Sequence, residues 1–101
     1  MANAVVIKNG YAKRVDIKTG VERGSIGYGG AVAASSDGDY AVVVYKDGRA
    51  RRYDANSGVE RGSIGSSGVT GCSVSGGIAI LMYGARGRRY DAKTGVEKGS
   101  V

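Results

Sequence analysis

Six cations stand in three repeated pairs along this sequence, Lys13 with Arg23, Arg51 with Arg61, and Arg88 with Lys98, and each pair lies close to an aspartate: Asp16, Asp54 or Asp91. Two cations held across from each other could clamp a phosphate, a sulfate or a carboxylate. An aspartate at each place could act as a base or a metal ligand. The rest of the composition removes most other chemistry. The 101 residues include no His, so the usual general base, the usual metal ligand and every Ser-His or Cys-His pairing are missing. Cys72 is the single cysteine. It can form no intramolecular disulfide and no structural zinc site, and it fits a reducing, cytoplasmic setting. No catalytic, cofactor or metal site is legible, and the expectation is a protein without enzymatic activity.

The elements that carry these residues come from an internal repeat. Val15 to Ile26 returns as Tyr53 to Ile64 and again as Tyr90 to Val101, with Asp-x-x-x-Gly-Val-Glu at its centre. The aspartates are 38 and 37 residues apart. Upstream of each copy lies an apolar run and then a turn: Ala4–Ile7 before Asn9-Gly10, Val42–Tyr45 before Asp47-Gly48, and Ala79–Met82 before Gly84-Ala85. Asn-Gly and Asp-Gly between β-branched runs predict hairpins with type I′ turns. In the second unit strands are expected over 42–45, 49–54 and 59–64. A further strand at 31–35 precedes them, and one at 69–74 precedes the third copy. Four short antiparallel strands every 38 residues or so is the spacing of a propeller blade. The loop from each aspartate to the glycine four residues on (Asp16 to Gly20, Asp54 to Gly58, Asp91 to Gly95) explains its own residues. The carboxylate can accept backbone N–H bonds and glycine can take the left-handed conformation, so a structural turn is the reading preferred over catalysis or metal binding.

Tyr90-Asp-Ala-Lys-Thr-Gly95 and its two counterparts resemble the Ala-x-Asp-x-x-Thr-Gly-x-x-x-Trp docking motif of quinoprotein-type (PQQ-like) β-propeller repeats, which are similar to WD40 repeats in blade layout. Such repeats occur in quinone-dependent alcohol dehydrogenases and in the lipoprotein of the bacterial outer-membrane assembly machinery. Two departures recur in all three copies. Gly24, Gly62 and Gly99 stand where the resemblance implies Trp, and Arg14, Arg52 and Arg89 stand where it implies a small Ala. This swap predicts a packing exchange in which the Arg stem covers apolar surface near the place of the lost Trp. The adjacent Cys pair that the resemblance implies for a quinone site is absent, so the fold is carried over and no activity or cofactor is.

The expected architecture is therefore all-β: one repeat domain, 1–101, of antiparallel propeller blades at about 1–27, 28–65 and 66–101, the first lacking its inner strand. Three blades cannot close a ring, because propellers typically have four to eight. Two chains give six, so the expectation is a homodimeric ring, a scaffold or binding module for a protein or a small polar ligand at the channel mouth. Met1 immediately before a strand favours a whole chain over a fragment of a longer propeller. No membrane segment is expected. The candidate ligand loops are Ser35–Asp39, Ser66–Gly68 and Ser73–Gly77.

The formal charge of +6 supplies an alternative. Closing the hairpin with Asp54 opposite Gly58 sets Arg52 against Glu60 and Arg51 against Arg61. The same register sets Lys13 against Arg23 and Arg88 against Lys98, giving three possible anion sites. Edge protection of an outer strand by Lys and Arg accounts for the same residues. Nucleic acid is the lesser partner, because no Phe or Trp is present to stack on bases and no helix is expected to enter a groove. Cys72 aligns with Ala34 on the innermost strand, where a small, inert side chain is needed.

Overall fold

The computed structural model describes residues 3–101; Met1 and Ala2, assigned above to the first blade, lie outside the described residues. All regular structure in it is β. In chain order the strands are β1 (Asn3–Lys8), β2 (Tyr11–Asp16), β3 (Glu22–Ile26), β4 (Ala31–Ser36), β5 (Tyr40–Tyr45), β6 (Ala50–Asp54), β7 (Glu60–Ile64), β8 (Gly71–Ser75), β9 (Ile78–Tyr83), β10 (Arg86–Asp91) and β11 (Glu97–Ser100). They form three antiparallel meanders, β1-β2-β3, β4-β5-β6-β7 and β8-β9-β10-β11. Three blades, the first without an inner strand, is the architecture expected from the repeat.

The turns differ more than the repeat suggests. Asn9 (φ +54) and Gly10 (φ +78) form the two-residue turn with both central residues at positive φ. Asp47-Gly48 does not. Here the loop holds three residues, closed by Gly48 N–H donating to the Tyr45 carbonyl (2.9 Å) and Tyr45 N–H to that of Arg49 (2.8 Å), while the Asp47 carboxylate accepts from the Arg49 amide.

The register of the outer hairpin also corrects an expectation. Tyr53 lies opposite Glu60, but Arg52 lies opposite Gly62 and Arg51 opposite Ser63, because a β-bulge falls between Arg52 and Tyr53. The same irregularity sets Arg14 opposite Gly24 with Lys13 opposite Ser25, and Arg89 opposite Gly99 with Arg88 opposite Ser100. The expected cation-to-cation oppositions do not occur. Arg23, Arg61 and Lys98 are the extra, unpaired residues of the bulges.

The apolar cores lie between sheets rather than within them. One joins Val5, Ala12 and Ile26 of the first sheet to Val43, Tyr45, Tyr53 and Ala55 of the second. The other joins Val42, Val44, Ala50 and Ile64 of the second to Leu81, Tyr90 and Ala92 of the third. Alternation along a strand explains this: one face of the second sheet looks back and the other looks forward, so a continuous run such as Val42-Val-Val44 is fully buried.

Candidate functional site

The three aspartates hold their turns. Asp54 Oδ1 accepts from the amides of Asn56 (2.8 Å) and Ser57 (2.9 Å), and the Gly58 amide donates to the Asp54 carbonyl (2.8 Å). Asp16 and Asp91 repeat this with Lys18 and Thr19, and with Lys93 and Thr94. Gly20, Gly58 and Gly95 sit at φ +74, +78 and +80. The second carboxylate oxygen takes the bulge cation: Arg23 on Asp16 (2.8 Å), Arg61 on Asp54 (3.1 Å) and Lys98 near Asp91 (4.0 Å). The Arg23 hydrogen bond, then the Thr19 amide, hold the Asp16 carboxyl below the usual carboxylate range; the Ser57 and Asn56 amides with Arg61 do the same for Asp54.

The other three candidate anion ligands are paired as well. Lys13 lies 3.8 Å from Glu22, Arg51 2.7 Å from Glu60 and Arg88 2.6 Å from Glu97. Arg51 also donates to the Tyr28 hydroxyl (2.6 Å), and the Tyr28 ring stacks on Tyr45 with centroids 4.3 Å apart. Each member of a predicted cation pair thus lies beside a carboxylate of this chain.

The swapped Arg and Gly residues are direct cross-strand neighbours. A Cβ on Gly62 would lie 3.3 Å from Arg52 Nη2, so the guanidinium covers the place a side chain would take. Arg52 Nη2 donates to the Arg61 carbonyl (2.9 Å), and Nη1 crosses to the next blade to donate to the Lys93 carbonyl (2.8 Å). Arg14 donates to the Arg23 carbonyl (3.2 Å) and, across the first junction, to that of Asn56. The two main-chain acceptors carry no sequence signal of their own; the invariant offset of each Arg from its turn is the only trace.

A second device also bridges the blades. Tyr45 and Tyr53 hydroxyls meet at 2.7 Å, and those of Tyr83 and Tyr90 at 2.9 Å. Each pair abuts a glycine of the preceding blade. A Cβ on Gly27 would fall 1.9 Å from Tyr45 Oη, and one on Gly65 would fall 2.4 Å from Tyr83 Oη. The recurrence of Ile-Gly at 26–27 and 64–65 is the sequence signal for it. Burial pushes the Tyr53 and Tyr90 hydroxyls above the usual phenol range.

The inner loops are structurally committed. Asp37 Oδ1 accepts from the amides of Asp39 and Tyr40, and Oδ2 accepts from the Gly77 amide of the next blade (2.7 Å). Burial raises the Asp37 carboxyl, but these amides outweigh it and the group ends below its usual range. Ser35 Oγ accepts from the Val74 amide (2.9 Å). Cys72, whose thiol points at the Val42 carbonyl (3.6 Å), is pushed up to about 11 by burial and so is largely protonated at neutral pH. Ser66 donates its amide to the Tyr83 hydroxyl (3.1 Å), beside a cavity of about 80 Å³ lined by Arg49, Arg51, Ser63 and Gly65–Ser67.

The two outermost blade faces are open. Register places Val6 where Val43 and Leu81 stand, and Ile17 where Ala55 and Ala92 stand. Val6 is 39% and Ile17 61% exposed, while all four counterparts are fully buried. On the far side Val101 stands where Ile26 and Ile64 do, 73% exposed against 2% for each. Beside it opens a recess of about 360 Å³ lined by Ala85–Arg88, Ser100 and Val101.

No protein-family model matches the chain, and no curated protein matches it in sequence. Solved structures do. BamB from Moraxella catarrhalis is similar over 99% of this chain and 33% of its own, with TM-score 0.74 and 20% identity. Kuenenia stuttgartiensis hydrazine synthase is similar over 98% of this chain and 32% of its own, with TM-score 0.73 and 15% identity. The computationally designed Ika8 protein is similar over 97% and 35%, with TM-score 0.68 and 22% identity. The chain thus spans about a third of the length of each. At these identities the likeness establishes the fold alone, an arc of β-propeller blades.

Proposed function

We propose that this chain is a non-enzymatic β-propeller module that completes its ring by docking with a second copy, giving six blades, and presents the mouth of that ring to a protein or small polar ligand. The observation that carries the reading is the pair of open faces. Val6 and Ile17 on one side and Val101 on the other occupy positions that are buried at both internal junctions. Each face is the counterpart of a surface the molecule already packs against itself. Burying a residue of this size contributes about 1.5–3 kcal/mol, so leaving both faces in water is costly. Propellers typically have four to eight blades, and two copies fall in that range whereas three would give nine. The carboxylate partner beside each of the six repeated cations favours this reading over polyanion binding. Sedimentation equilibrium tests it. The expected mass is twice the 10.3 kDa of one chain; a single-chain or threefold mass at all concentrations overturns it. Tight, steeply salt-dependent retention on heparin would instead restore the polyanion reading.

A further inference from the structure

We propose that Arg89 of one copy is the docking residue at the junction between copies, its guanidinium donating to the Lys18 carbonyl of the second copy over Gly20. The inference rests on the ring reading above and names the contact that would close it.

Three arginines hold equivalent places. Arg14, Arg52 and Arg89 lie opposite Gly24, Gly62 and Gly99, glycines with φ between +118 and +124. All three aim one arm of the guanidinium at a carbonyl of their own outer strand: Arg23 at 3.2 Å, Arg61 at 2.9 Å and Lys98 at 3.3 Å. Arg14 and Arg52 use the other arm to reach the next blade, at the carbonyl two residues after its turn aspartate, Asn56 and Lys93 respectively. The receiving turn fits the guanidinium closely. A Cβ on Gly58 would lie 3.3 Å from Arg14 Nε, and one on Gly95 would lie 2.8 Å from Arg52 Nε.

At the open faces the two halves of this contact are present but apart. Arg89 is exposed and, among the described residues, makes the own-strand bond alone. The first blade carries the same turn, with Lys18 two residues after Asp16 and with Gly20 at φ +74, yet nothing lies within 4 Å of a Cβ built on Gly20. One face holds a donor without its acceptor, and the other holds a seat without its occupant. The Lys18 side chain is no obstacle, because Lys93 occupies that place beside Arg52. At the first junction Ile26 meets the receiving turn beside Arg14, its Cγ2 2.9 Å from a Cβ built on Gly58, and Val101, which holds the place of Ile26 in the third blade, is exposed.

The test is the dimer dissociation constant of the intact chain, measured by sedimentation for wild type, Arg89→Ala, Arg89→Lys and Gly20→Ala. Arg89→Ala should weaken the dimer by roughly tenfold or more, the effect of losing a charged hydrogen bond. Arg89→Lys should not restore it, since an ammonium cannot span two carbonyls as a planar fork does. Gly20→Ala should weaken the dimer of wild type more than that of Arg89→Ala, a coupling that strain within the turn alone would not produce. Arg89→Ala should leave the circular dichroism of the dilute chain unchanged. A wild-type dimer with an unaltered constant in Arg89→Ala overturns this inference and leaves the ring intact; a wild type that never dimerises overturns both.

Discussion

Arg52 and Lys93, 41 residues apart in the chain, are joined by a 2.8 Å hydrogen bond that crosses from the second blade to the third. The donor is 9% exposed and already bonded to the Arg61 carbonyl of its own blade, so it ties an outer hairpin to the neighbouring turn through main-chain acceptors alone. A fork of charged donors thus spans the junction, and Gly62 leaves the space it occupies.

Arg52→Ala should therefore destabilise the chain by about 1.5–3 kcal/mol, the range for hydrogen bonds to a charged partner together with the carbonyls left behind. Arg52→Lys should recover less than half of the loss, because the aliphatic stem remains but the second arm does not. Urea denaturation followed by circular dichroism measures both. An unchanged midpoint in Arg52→Ala would mean that the inter-blade bond contributes nothing.

Gly27→Ala and Gly20→Ala form a matched pair. Both glycines sit in the left-handed region, at φ +70 and +74, so each substitution carries the same backbone strain, on the order of 1 kcal/mol. Only the Gly27 methyl collides, 1.9 Å from Tyr45 Oη and 2.7 Å from Tyr53 Oη. Gly27→Ala should cost at least twice as much in a denaturant titration on the dilute chain, and Tyr45→Phe should restore part of it by removing the nearest atom.

Acid should unfold the chain by way of its turns. Asp16, through the Arg23 hydrogen bond first, and Asp54, through the Ser57 amide first, have carboxyls lower when folded than the ordinary value of 3.8. The folded state then binds fewer protons than the unfolded one. The stability these groups contribute is complete above pH 3.8 and is lost as pH falls from there through the folded values. Denaturation midpoints measured from pH 6 downward should drop in that window. Asp54→Asn, whose amide oxygen can still accept from the turn N–H groups, should fold and show a shallower drop.

The strand order was legible because glycine, asparagine and aspartate mark each change of direction at fixed offsets around β-branched runs such as Val42-Val-Val44, whereas the three-residue loop at Asp47-Gly48 was not. The pairing of Arg51 with Arg61 failed for a local reason. Counting back from Asp54 assumes one residue per rung, and the bulge adds Arg61 without a partner, which reverses the face that every later residue presents. Glycine at 62 inside a strand was the available sign of it. The role of Arg52 lay out of reach for a different reason. Its acceptors are main-chain carbonyls in another blade, and a carbonyl looks the same in every residue.

Because the apolar cores lie in the gaps between blades, the sequence repeat and the cooperative unit are not the same object. An open row of blades always has one gap fewer than it has blades, whereas a closed circle has as many gaps as blades. Stability per blade in such a molecule does not grow smoothly with length; it steps upward once, at closure.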